Sequence, residues 1–144
     1  MGAQPFRVGV AGLGTVGASA LKIIARQDNA LTERAGRPIR VTAVSARDRA
    51  RDRGHDLSGY RWFDDPVALA RSEEVDCVVE LMGGADGPAK AVVEAALEHG
   101  KHVVTANKAL LARHGLALAR QAEQKGVALA FEASAAFFCA GVVT

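Results

Sequence analysis

Cysteine is nearly absent: Cys77 and Cys139 are the only two in 144 residues, with neither metal-ligand spacing nor enough partners for a disulfide framework. Cys77 stands inside an apolar run, where a buried thiol is expected. No stretch reaches the roughly 18 continuous apolar residues of a membrane span, and Met1 to Pro5 opens without the apolar segment of a secretory signal. A cytosolic chain is therefore expected. An excess of one charge sign is also missing, since 18 Lys and Arg face 16 Asp and Glu for a net charge of +2. That leaves little footprint for nucleic acid or an acidic membrane. The four histidines, His55, His99, His102 and His114, are scattered and form no nucleophile–base arrangement, so each is read as a surface or packing residue. There are no repeats and no low-complexity linkers.

What is present is an ordinary globular composition, 49% hydrophobic and 24% charged, at a length that supports one core and hence one domain over 1–144. Periodicity alternates between strand and helix. Arg7 to Ala11 reads as a strand, Thr15 to about Arg26 as a helix, Leu31 to Pro38 as a polar loop, and Ile39 to Ser45 as a second strand. Tyr60 to Phe63 follows as a brief strand. Asp65-Pro66 then opens a helix, with Asp as N-cap and Pro at the first helical position. Val75 to Met82 reads as a nearly continuous buried strand of the kind parallel sheets use, ended by Gly83-Gly84. Pro88 to His99 is helical, with Gly100 placed for a left-handed cap, and Lys101 to Thr105 is the next strand. A further helix, roughly Gly115 to Lys125, is stopped by Gly126 before the strand Val127 to Glu132. This alternation predicts an α/β fold of Rossmann type, a doubly wound, mainly parallel sheet with helices on both faces.

The chemistry sits first in Gly12-Leu13-Gly14-Thr15-Val16-Gly17. A Gly-x-Gly-x-x-Gly run alone is a weak signal, and the alternative is that these glycines merely turn the chain. Directly after a strand and opening a helix, it is the context a dinucleotide pyrophosphate site requires. Gly12 permits the tight turn, Gly14 lets the backbone approach the phosphates, and Gly17 allows the helix to pack on the strand. The helix N-terminus adds free N–H groups and positive dipole. At the end of the second strand an acid would take the ribose 2′-hydroxyl of NAD and a base the 2′-phosphate of NADP. The strand ends Val44-Ser45-Ala46-Arg47, so Arg47 predicts NADP(H) as the preferred cofactor, with NAD(H) as the alternative. Asp48 opposes this, either by neutralising Arg47 or by binding the ribose itself. The arginine-rich stretch Arg47 to Arg53 is either a solvated loop or a patch for the cofactor's phosphates.

Three segments together resemble homoserine dehydrogenase: the fingerprint Gly-Leu-Gly-Thr-Val-Gly, Val79-Glu80-Leu81-Met82-Gly83-Gly84, and the long Gly100 to Ala112 run containing Thr105-Ala106-Asn107-Lys108. The similarity covers about Phe6 to Ser134. It implies NAD(P)H-dependent interconversion of aspartate 4-semialdehyde and homoserine, on the way to threonine, isoleucine and methionine. By the same resemblance Leu13, Thr15 and Val16 line the pyrophosphate and nicotinamide side, Arg47 meets the adenosine phosphate, Gly83 borders the crevice and Lys108 is the catalytic lysine. A lysine at the carboxyl end of a parallel strand suits that role, because an ammonium there can stabilise or protonate the oxygen that gains charge on hydride delivery. The plainer alternative is a surface lysine near a helix start. Asn107 reads as the cap of the helix after it in preference to a substrate contact.

Glu132 matches the family glutamate that begins a segment wrapping a monovalent cation. The pattern then breaks, with Phe137 and Phe138 where small residues are usual, so a cation is expected to bind weakly or not at all. The family's dimerisation and substrate domain is not represented in 1–144, so its homo-oligomers would form through another part, and turnover by this chain alone is not expected. Two functional classes follow: the coenzyme domain of homoserine dehydrogenase, or a free-standing NADP-binding regulatory module without catalysis. An aspartate dehydrogenase or dihydrodipicolinate reductase is disfavoured by Thr105-Ala106-Asn107-Lys108.

Overall fold

The computed structural model describes residues 4–131. Its elements in chain order are β1 (Phe6–Ala11), α1 (Thr15–Arg26), α2 (Asp28–Ala35), β2 (Ile39–Ser45), β3 (Arg61–Phe63), α3 (Pro66–Arg71), β4 (Cys77–Glu80), α4 (Pro88–Glu98), β5 (His102–Thr105), α5 (Lys108–Lys125) and β6 (Leu129–Phe131). The six strands pair in parallel in the order β3-β2-β1-β4-β5-β6. The winding therefore reverses between β1 and β4, and the carboxyl ends of all strands share one edge. In such sheets ligands bind outside that edge, at the reversal.

Alternation along β1 sends Phe6, Val8 and Val10 into one core, where they meet Leu21 and Ile24 of α1 and Ala35 of α2. Ala11 belongs to the other core, built with Leu69 of α3, Val92 and Leu97 of α4 and Leu118 of α5. Most of these side chains are fully buried, which contributes roughly 1.5–3 kcal/mol for each large aliphatic. Cys77 is buried, as its apolar surroundings predict. Asp65 caps α3 by accepting a hydrogen bond from the Val67 N–H at 2.9 Å, with Pro66 in the first turn.

Three elements differ from the sequence reading. The segment read as a loop from Leu31 to Pro38 is largely α2, and Gly36, in left-handed conformation at φ 76°, is its C-cap. Its polar sequence carries no apolar stripe, but Asp28 in its first turn pairs with Arg40 of β2, and Ala35 packs on the core. The strand read over Val75 to Met82 is pared to Cys77–Glu80, because the Glu80 side chain takes the Met82 and Gly83 N–H groups and turns the backbone out of the sheet. The helix read from about Gly115 begins at Lys108, with Gly115 in its interior. Among the described residues, no helix is long and apolar enough to cross a membrane.

Candidate cofactor site

The glycine turn between β1 and α1 is built by close approach. Gly12 has φ +105°, and a Cβ there would stand 2.8 Å from the Leu81 backbone at the end of β4. A Cβ on Gly17 would stand 2.0 Å from the Gly12 carbonyl oxygen, so any side chain at Gly17 would push α1 away from the turn. Gly14 is different: a Cβ there would meet nothing within 4 Å. The space above Gly14 is open, and Gly14 is the N-cap of α1 without a side chain to occupy its N–H groups. Side chains cap α3 and α5, through Asp65 and Asn107, but not α2 or α4, so α1 is set apart by its place at the reversal of the sheet. At α1 the unbonded N–H groups and the positive end of the dipole are left for an anion, which is the physical requirement of a pyrophosphate cradle.

Around the cradle, Leu13 is 3% exposed, so its side chain belongs to the core and only its backbone faces the turn. Thr15 and Val16 face outward, and Val16 is 56% exposed despite being apolar. The Gly12 N–H donates to the Ser45 carbonyl at 2.9 Å, which fixes the turn to the last residue of β2. Arg47 lies two residues beyond, exposed. Asp48 does not neutralise it. The Asp48 carboxylate instead accepts from the Ala50 N–H at 3.0 Å, and Arg47 has no ion-pair partner among the described residues.

On the other side of the reversal, a chain of buried hydrogen bonds joins β4, β5 and α5. Glu80, fully buried at the end of β4, accepts from Met82 N–H at 2.6 Å and Gly83 N–H at 3.2 Å, and from the Thr105 hydroxyl at 2.8 Å. The Thr105 hydroxyl oxygen accepts from Asn107 N–H at 3.0 Å. Asn107 accepts from Leu110 N–H at 3.0 Å, capping α5, and its amide donates to the Gly84 carbonyl at 2.6 Å. Every polar end is used, as burial demands. The network holds the exposed Gly83-Gly84 turn, where φ is 81° and 86°, against the start of α5. Asp86 reinforces it with bonds to Arg113 and His114 of α5, both 2.8 Å; the hydrogen bond to His114 is the main reason its carboxyl lies below the ordinary range.

Lys108 is the first residue of α5, exposed, at the carboxyl end of β5 on the same edge as the glycine turn. Thus the structure brings Gly12, Gly14, Gly17, Gly83 and Lys108 to one edge of the sheet, with Arg47 on the β2 side. Sequence reasoning did not single out Glu80 as an organiser of the site. Its one signal is an acid closing an otherwise apolar strand before two glycines. The four histidines all bond within the fold: His55 to Tyr60, His99 to the Ala95 carbonyl, His102 to Ala128 N–H and His114 to Asp86. Glu132, with the cation expectation attached to it, lies outside the described residues, as do Phe137 and Phe138.

Comparison with known proteins agrees with this geometry. The family model described as the NAD binding domain of homoserine dehydrogenase matches residues 12–132. The homoserine dehydrogenase of Pseudomonas aeruginosa is 43% identical over 133 residues, covering 92% of this chain and 30% of the relative. That of Corynebacterium glutamicum is 41% identical over 131 residues, covering 90% of this chain and 29% of the relative. Among solved structures, a homoserine dehydrogenase from Thiobacillus denitrificans superposes with a TM-score of 0.84 at 41% identity, over 92% of this chain and 30% of that one. A biliverdin reductase from Synechocystis, solved with biliverdin and NADP+, gives 0.71 at 25% identity, over 90% and 38%. The chain thus spans about 30% of the length of the homoserine dehydrogenases it matches. With a fingerprint turn, an uncapped helix and a reversal crevice all in the matched region, the chain belongs to the homoserine dehydrogenase family, of which it is the NAD-binding domain.

Proposed function

We propose that residues 1–144 form one domain that binds NADP(H) in preference to NAD(H) and supplies the coenzyme half of a homoserine dehydrogenase, which interconverts homoserine and aspartate 4-semialdehyde. The observation that carries this reading is the open, uncapped start of α1 at Gly14, beside the reversal of the sheet. The bound nicotinamide would supply or accept the hydride. The chain's own residues hold and orient it. The turn from Gly12 to Gly17 takes the pyrophosphate, with Leu13 contributing backbone only and Thr15 and Val16 bordering the nicotinamide side. Gly83, without a side chain, leaves room in the crevice. Arg47, unpaired after β2, offers its planar fork to the adenosine 2′-phosphate. Lys108 presents an ammonium where a carbonyl oxygen gains charge, and either donates a hydrogen bond or passes it a proton.

Because the match covers so little of the relatives, the substrate half is proposed to be supplied by sequence of the kind the relatives carry outside it. The test is complementation. Mixing the chain with the separately expressed remainder of the Pseudomonas aeruginosa relative should restore NADPH-dependent reduction of the semialdehyde. Lys108→Ala in the same mixture should lower kcat by about a hundredfold or more, the usual scale for a general acid. Cofactor binding with no turnover in any pairing would point instead to a regulatory NADP-binding module.

A further inference from the structure

The connection from β2 to β3 carries four arginines, at 47, 49, 51 and 53, and its aspartates do not answer them. Asp48, Asp52 and Asp56 recur every fourth residue, and each accepts from the backbone N–H two positions on: Ala50 at 3.0 Å, Gly54 at 2.8 Å and Ser58 at 3.0 Å. One oxygen of each carboxylate is thus engaged in shaping three successive turns. None of the four arginines forms an ion pair among the described residues.

Three of the four are exposed, whereas Arg53 is half-buried and drawn against the fingerprint. Its Nε–H donates to the Leu13 carbonyl at 3.2 Å, a contact spanning forty residues of sequence. One terminal nitrogen donates to the Arg51 carbonyl at 3.0 Å. The guanidinium lies 5.9 Å from the Trp62 ring centroid, with Arg49 at 5.7 Å from the same ring, and Trp62 is itself held by its indole N–H on Asp64 at 2.9 Å. The other terminal nitrogen of Arg53 has no protein partner among the described residues. A cation whose position is fixed, whose charge no acid offsets and whose outer edge is free is built to meet an anion.

Which anion follows from the direction of approach. Arg53 reaches the turn from the segment after β2, the side on which this fold places the adenosine ribose, whereas the pyrophosphate lies over the start of α1. We propose that Arg53 is a specificity-determining residue that reads the adenosine 2′-phosphate of NADP(H) while latching the arginine loop to the glycine turn. This rests on the NADP(H) reading above and adds to Arg47 a second guanidinium held in advance at the site.

Two probes isolate the adenosine end: adenosine 2′,5′-bisphosphate and adenosine 5′-monophosphate, titrated calorimetrically into the 144-residue chain. The wild type should prefer the bisphosphate. Arg53→Gln should weaken the bisphosphate about tenfold or more, the loss of a charge-assisted hydrogen bond, and leave the monophosphate within about twofold. Arg53→Lys, which keeps charge without the fork, should recover part of the loss. Melting of each variant without ligand identifies a folding defect, and if the Gln variant does not fold, the Lys variant carries the comparison. Equal losses for both probes would make Arg53 a latch alone and overturn the inference, as would an unchanged preference in the variants, with the NADP(H) reading intact. A wild type that shows no preference for the bisphosphate would overturn that reading itself.

Discussion

At the scale of single residues, the glycines of the fingerprint do two separable things. Gly17 keeps α1 on its turn, because a methyl group there would lie 2.0 Å from the Gly12 oxygen. Gly14 keeps nothing inside the protein apart, since its missing side chain faces open space. Gly17→Ala should therefore cost about 1–3 kcal/mol of stability by overpacking, and cofactor affinity with it. Gly14→Ala should cost no more than about 1 kcal/mol, the difference between glycine and a poorer N-cap, yet weaken NADPH binding by about tenfold or more. Urea denaturation and calorimetric titration of the two variants check this, and parallel losses would show that Gly14 is structural too. The glycines were legible because their spacing is local. Glu80 was not, because it gains its meaning from Thr105 far along the chain, and Arg53 was legible only as one of the arginine stretch, since its bond to Leu13 spans forty residues. Asp48 was legible as a competitor for Arg47, and its turn-forming bond to Ala50 is a local one that leaves the two without an ion pair among the described residues.

At the scale of elements, the well-read pieces are those whose ends carry chemical signals: α1 after the glycine turn, α3 behind Asp65-Pro66, and α4 before Gly100. The element α2 escaped because its polar sequence shows no apolar stripe, although the Asp28–Arg40 ion pair and the buried Ala35 dock it, and Gly36 resembles loop punctuation as much as a cap. The early start of α5 was signalled only by Asn107, whose capping role was legible while the helix boundary was not. The joint between β5 and β6 is pH-sensitive by construction. His102 Nδ1 accepts from the Ala128 N–H at 3.0 Å, which requires an unprotonated nitrogen. Burial holds this imidazole below its ordinary 6.5, with attraction from Asp76 opposing and repulsion from Arg37 assisting. The unfolded chain thus takes the proton first as pH falls. The contribution of His102 is present above about pH 6.5 and is lost below it, down through the folded value. Unfolding free energy should decline from pH 7 towards pH 5, with faster amide exchange in β6, and His102→Gln should flatten that part of the profile. Identical slopes in the two proteins would remove His102 from the explanation.

At the scale of the whole molecule, strand order β3-β2-β1-β4-β5-β6 converts a linear alternation of strand and helix into a crevice. Both faces of the sheet are covered, the two cores lock β1 and β4 side by side, and the glycine turn and the Glu80–Thr105–Asn107 network flank the point where the winding reverses. The sheet was legible because buried parallel strands announce themselves as apolar runs, and right-handed crossovers leave few ways to connect them. The division of labour around the crevice was not, since it depends on which turns the closing of the sheet brings together. The central claim is that this domain holds a nicotinamide dinucleotide at the fingerprint and favours the phosphorylated form. The most direct measurement is thermal stability of the chain titrated with NADPH and, separately, NADH, because a ligand bound only by the folded state stabilises it by RT ln(1 + [L]/Kd). Tm is expected to rise with both cofactors, beginning at lower NADPH than NADH. An unchanged Tm with either cofactor at millimolar concentration would contradict it.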